Sequence, residues 1–142
     1  MIRAVLDTNI LISALITKKS SAPLKLYKAF TEQKFLLITS PSILTEVEDV
    51  MNRKKIAKLH KLSPRQRKQI MEQLLTLCYV TLESPKADKV IIERDPNDDK
   101  FLYAAFEAHA DYIVSGDDDL LDLGEYKGIK IVTPNDFAAI LD

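Results

Sequence analysis

Four acidic side chains, Asp7, Glu46, Asp99 and Asp117, are spaced so that they could gather at one site. Asp7 directly follows the apolar run Ile2-Arg3-Ala4-Val5-Leu6, which reads as a short, largely buried strand. Asp117 follows a second such run, Tyr112-Ile113-Val114-Ser115, across Gly116. Asp99 lies in the first turn of a helical pattern, next to Asp98. Glu46 comes three positions after Ile43 and four before Val50, so it shares a helix face with apolar residues. A carboxylate on a core-facing stripe needs compensation. Clustered carboxylates also raise one another's pKa values. A hard divalent cation relieves both problems. Mg2+ or Mn2+ takes oxygen ligands, keeps several waters, and is held by a few carboxylates together with a substrate phosphate.

Each acid also has a purely structural reading. Asp7 could be a helix N-cap. Glu46 could sit at the edge of its face and point into solvent. Asp98 and Asp99 could complement a helix dipole. Asp117, Asp118 and Asp119 could form a solvated acidic turn. Taken one at a time, these readings hold at least as well; only the joint pattern favours a site.

The elements that would position these acids can be read along the chain. Asp7-Thr8-Asn9 opens a helix beginning with Ile10 to Leu15. Leu24 to Phe30 has apolar residues at helical spacing, and Phe35 to Ile38 is the next strand. Ser40-Pro41 opens a helix with Ile43, Leu44, Val47, Val50 and Met51 on one face. Ser63-Pro64-Arg65-Gln66 has capping-box spacing and starts a helix to about Leu77. Cys78 to Leu82 resembles a strand, Asp95-Pro96-Asn97 a turn, and Asp98 to His109 a helix. Tyr112 to Ser115 and Ile129 to Val132 are strands, and Thr133-Pro134 caps a last helix ending near Leu141. Strands alternating with helices predict a three-layer α/β/α fold around a mostly parallel sheet. In such sheets ligands bind beyond the carboxyl ends of the strands, where Asp7 and Asp117 fall.

The 142 residues suit one domain, with no linker or repeat along 1–142. Apolar residues make up 46% and charged residues 29%, which excludes a disordered chain or a disulfide scaffold. Cys78 is the only cysteine, and His60 and His109 are too few for a histidine-rich metal site. Tyr103, Phe106 and Tyr112 read as packing residues, and His60 as part of a basic face. Asp7 interrupts the N-terminal apolar run before a signal peptide can form, and Ile10 to Ile16 is far shorter than a membrane span. A cytoplasmic protein without membrane contact is expected. Twenty Lys and Arg against 21 Asp and Glu give a net charge of −1, which excludes a globally basic nucleic-acid binder. The charge is unevenly spread. Arg53, Lys54, Lys55, Lys58, Lys61, Arg65, Arg67 and Lys68 fall in a stretch, 53–68, that holds no acid, within a basic helical arm around 53–77. That arm could hold RNA phosphates, meet an acidic partner, or be a solvated face. It contains no aromatic residue, so base stacking is not expected there. Lys100 could reach a phosphate or lie on the surface.

Four motifs in order carry a family resemblance over nearly the whole chain. They are Asp7-Thr8-Asn9 after the first strand, Ser40-Pro41 with Glu46, Asp98-Asp99-Lys100-Phe101-Leu102, and Ser115-Gly116-Asp117. The chain resembles the PIN-domain nucleases, and most closely the VapC-like toxin branch of toxin–antitoxin systems. The resemblance implies a metal-dependent endoribonuclease using Mg2+ or Mn2+ and leaving 5′-phosphate and 3′-hydroxyl ends. It places the metal-binding and catalytic acids at Asp7, Glu46, Asp99 and Asp117, with Asn9 and Ser115 in support. Ser115 stands where relatives commonly have Thr, which keeps the hydroxyl. Asp98 and Asp119 are weaker candidates. Expected partners are RNA, an antitoxin protein and a second copy of the chain. Two other phosphate-handling classes fit less well. Haloacid-dehalogenase-type phosphatases need an Asp where Asn9 stands, and receiver domains need an acid pair beside Asp7. A non-catalytic RNA- or protein-binding module on the same fold is the remaining alternative.

Overall fold

A computed structural model of the chain describes residues 1–17, 20–82 and 98–142. The turn expected at 95–97 lies outside the described residues. The first strand, β1 (Arg3–Leu6), is buried at Ala4, Val5 and Leu6 alike. Successive strand residues point to opposite faces, so both faces of β1 are covered. The same holds for Leu37 and Ile38 in β2 (Leu36–Thr39) and for Ile113 and Val114 in β4 (Tyr112–Val114). With β3 (Tyr79–Val80), β5 (Glu125–Tyr126) and β6 (Ile129–Val132), they form a six-stranded sheet of order β3-β2-β1-β4-β6-β5. All pairings are parallel except β5 with β6. From β1 the chain proceeds to β2 on one side and later to β4 on the other. The β1–β4 boundary is therefore a switch point, where a crevice opens beyond the carboxyl ends.

The helices are α1 (Thr8–Ile16), α2 (Ala22–Thr31), α3 (Pro41–Asn52), α4 (Lys54–His60), α5 (Pro64–Leu77), α6 (Asp99–Glu107), α7 (Asp118–Leu123) and α8 (Pro134–Leu141). Four of them start on the same chemistry. Ser21, Ser40, Ser63 and Thr133 each accept a backbone N–H three residues on, with proline in the first two helical positions. Ser63 and Gln66 complete the expected capping box. Helices flank the sheet as the alternating pattern predicts. The ring of Phe137 in α8 packs at right angles to Phe35 at 5.2 Å and against Tyr112 at 5.6 Å, which ties α8 to the sheet.

Several boundaries move. Cys78 and Leu82 lie outside β3, which is reduced to two exposed residues on the sheet edge. Asp98 precedes α6 in a tight turn rather than joining it, and α6 ends at Glu107, before His109 takes a left-handed φ of 53°. The turn at Gly116-Asp117 continues into the short helix α7, which the acidic run did not suggest.

Candidate metal centre at the strand ends

The end of β1 delivers Asp7 to the crevice. Its backbone N–H donates to Val114 O at 2.9 Å, which extends the β1–β4 register by one residue. Its carboxylate accepts the Asn9 N–H at 3.1 Å and the Ser115 hydroxyl at 2.7 Å. Asp7 is thus an N-cap of α1, and it is also only 4% exposed. Ser115 is fully buried, and its oxygen accepts the Asp117 N–H at 2.9 Å. One hydroxyl therefore links the two strand-end acids. Asn9 does support Asp7, but through its main chain; its side chain lies at an exposed position.

Burial pushes the Asp7 carboxyl above its usual range. The Ser115 and Asn9 hydrogen bonds work against that, while the negative charges of Asp117 and Glu46 add to it. These three acids therefore lie within electrostatic reach of one another. Asp117 occupies the N-cap position of α7 but makes no side-chain capping bond. Its Oδ2 is buried without a hydrogen-bond partner. Two more oxygens, Thr8 Oγ1 next to Asp7 and Thr39 Oγ1 at the end of β2, are buried and unpartnered.

Asp99 is the first residue of α6 and is 4% exposed, whereas the adjacent Asp98 is half-buried. Asp119 is half-buried in the first turn of α7. Glu46 points from α3 onto the ammonium of Lys100, with side-chain exposures of 24% and 10%. The surface reading of Lys100 does not hold, because its side chain is largely buried and its ammonium pairs with Glu46. Sequence carried one weak signal of this, a lysine directly after a buried helix-start acid.

Among the described residues no group of three or more His, Cys, Asp or Glu side chains stands ready to hold a metal ion. The donor chemistry nonetheless fits a hard cation. An orphaned carboxylate oxygen on Asp117, an Asp7 carboxyl raised by burial and to a lesser degree by neighbouring negative charge, and an ammonium drawn to Glu46 all indicate a place that favours positive charge. Cys78 offers no alternative nucleophile, because burial pushes its thiol up to about 12.

The basic arm starts where α3 ends. Arg53 lies seven positions after Glu46, two helical turns or about 10 Å along the axis. It pairs with Asp49 at 3.0 Å. Lys54, Lys55, Lys58, Lys61, Arg65 and Lys68 are exposed, while Arg67 is half-buried. His60 does not join this basic face. It is 8% exposed, with Nε2 2.9 Å from Met51 O and Nδ1 accepting the Leu62 N–H at 2.9 Å. That pairing makes Nε2 the protonated nitrogen. His60 thereby ties the end of α4 to the end of α3.

The sequence model of the PIN domain matches residues 3–119. The uncharacterized protein MJ1680 of Methanocaldococcus jannaschii is 33% identical over 152 residues, spanning 96% of this chain and 89% of that protein. Among solved structures, PAE2754 from Pyrobaculum aerophilum is similar with a TM-score of 0.67 at 17% identity, over 99% of this chain and 89% of that one. VapBC2 from Rickettsia felis, solved bound to a DNA fragment from their promoter, is similar with a TM-score of 0.60 at 15% identity. That match covers 93% of this chain and 98% of the other. At these identities the two structures bear on the fold alone.

Proposed function

The chain belongs to the PIN-domain family, and from that premise we propose that it is a metal-dependent endoribonuclease, the toxin of a toxin–antitoxin pair. The observation that carries the reading is the linked pair of strand-end acids. Asp7 is buried and bonded to Ser115, which in turn holds Asp117, whose Oδ2 lacks a partner. Asp7, Glu46, Asp99 and Asp117 would hold Mg2+ or Mn2+, with Asp98 and Asp119 at the margin. Held there, such a cation would supply water activation and charge neutralisation at an RNA phosphodiester.

The chain's own residues do the positioning. Ser115 and the Asn9 main chain orient the Asp7 carboxylate, so its direction is set before substrate arrives. Lys100 offsets one negative charge beside Glu46. The arm from Arg53 to Lys68 would hold RNA phosphates by charge, with little dependence on sequence. An antitoxin partner is supported by the VapBC2 neighbour, solved bound to a DNA fragment from their promoter. A cytoplasmic setting agrees with the described helices, none of which is long and apolar enough to cross a membrane.

The test is cleavage of a labelled single-stranded RNA panel in Mg2+, in Mn2+ and in EDTA, with Asp7→Asn in parallel. Cleavage that needs the metal and is lost in the variant is the expected result. No cleavage, together with no rise in Tm at millimolar Mn2+, would replace this reading with a non-catalytic binding module.

A further inference from the structure

Asp99 opens a stripe on α6. Tyr103 and Phe106 follow it at i+4 and i+7, so the three lie along one face of the helix. The rings stand about 6 and 10 Å beyond Asp99 along the axis. Both are half-buried. Phe106 meets Tyr126 of β5 edge-on, with ring centroids 6.4 Å apart at 71°. Desolvation, and then the charges of Asp99 and Tyr126, raise the Tyr103 phenol above its usual range, so both lie within its electrostatic reach. An aromatic row thus runs from the acid set to the outer strand of the sheet.

The row ends in a tight hairpin turn. Tyr126 and Ile129 pair across Lys127 and Gly128, whose φ values are +48° and +85°. Two positive φ angles mark the hairpin turn that favours Asn-Gly or Gly-Gly. Gly128 suits its place, but Lys127 sits in a left-handed conformation that strains a residue with a Cβ. Its ammonium lies 4.4 Å from the Phe106 ring centroid and 5.4 Å from that of Tyr126. A cation–π contact at an exposed site is of the same order as that strain. Gln33, Lys61 and His109 share that backbone conformation, so what sets Lys127 apart is the place of its ammonium beside two rings, which puts a positive charge at the end of the aromatic row.

We propose that Tyr103, Phe106, Tyr126 and Lys127 form a binding track for an unpaired RNA strand entering or leaving the acid set, with a base on the tyrosine rings and a phosphate on Lys127. This rests on the nuclease reading above. Stacking must carry most of the track's affinity, because Glu107 and Glu125 adjoin it in sequence and weaken any general attraction of RNA. Every base has a π face, so the track tolerates sequence. Duplex RNA keeps its bases stacked on one another and cannot use it. The track complements the basic arm, which has charge but no aromatic residue.

The test is fluorescence anisotropy of the full chain with a labelled single-stranded RNA and with its duplex, in EDTA and in Ca2+. Tyr103→Leu should weaken single-strand binding at least five-fold and leave duplex binding unchanged, while Tyr103→Phe restores it. Lys127→Asn should weaken it a few-fold while Tm stays level or rises, since Asn-Gly suits the turn. All three variants should keep the parent's Mn2+-induced rise in Tm. Parent-like single-strand binding by Tyr103→Leu, or an equal loss on duplex, overturns the track while leaving the nuclease reading intact. A parent chain that binds neither RNA overturns both.

Discussion

The Asp7 carboxyl is where burial and charge act together most strongly. Burial raises its folded pKa above the ordinary carboxylate range, so the folded state binds this proton more tightly than the unfolded chain. Its contribution to stability is full below the ordinary carboxylate range and is lost as pH rises through the folded value. Asp7→Asn keeps a capping side chain and removes the charge. Without divalent cations at pH 7, the variant should melt roughly 2–5 °C above the parent, and its Tm should change less between pH 4 and 7. It should also lose the Mn2+-induced rise in Tm. Scanning fluorimetry across pH checks this, and a variant that melts below the parent at pH 7 would refute the account. Lys100→Met makes the opposite case. It leaves Glu46 beside Asp7 without its cation, at a cost of about 1–2 kcal/mol given that Glu46 is a quarter exposed. Its metal-free Tm should fall, and Mn2+ should then raise Tm more than in the parent. Equal Mn2+ shifts would show that Lys100 does not compete with the metal. Asp7, Asp117 and Ser115 were legible because strand ends mark crevice positions. The Lys100–Glu46 pair was not, because it spans 54 positions and exists only once α3 and α6 meet.

Among the elements, legibility followed the strength of the local signal. Four helix starts were written as Ser or Thr before an early proline, and the capping box at Ser63 formed as spaced. β3 and β5 have only two residues each, too few to show alternation. The break between α3 and α4 at Arg53 also left no glycine or proline to mark it. His60 was misread for a related reason. Its sequence neighbours are basic and exposed, yet its own contacts are two backbone groups inside the fold. His60→Ala would strand Met51 O and the Leu62 N–H, at about 1–3 kcal/mol. Hydrogen exchange should speed up across 53–68, while β1, β2 and β4 keep their protection. Uniform loss of protection throughout the sheet would instead make His60 a general core residue rather than a tie for the arm.

For the molecule as a whole, alternating strands and helices predicted the layered fold, but not which strands would be neighbours. The order β3-β2-β1-β4-β6-β5 depends on long-range pairing, and it is this order that brings Asp7 and Asp117 to one crevice. Charge shows the same separation between total and arrangement. A net charge of −1 gives RNA no reason to approach, so any attraction must be local. On the proposed reading the arm would supply it, two turns from Glu46, with Lys55, Lys58, Lys61 and Arg65 all exposed. Each phosphate contact on a single strand contributes about −0.7 to the slope of log K against log salt. Changing those four residues to Gln should therefore flatten the slope by up to about 3 and weaken binding at least ten-fold at low salt. The Mn2+-induced rise in Tm should stay at the parent value, because none of the four belongs to the acid set. An unchanged salt slope would make the arm a solvated face, and RNA would then have to be held by the crevice and its aromatic row alone.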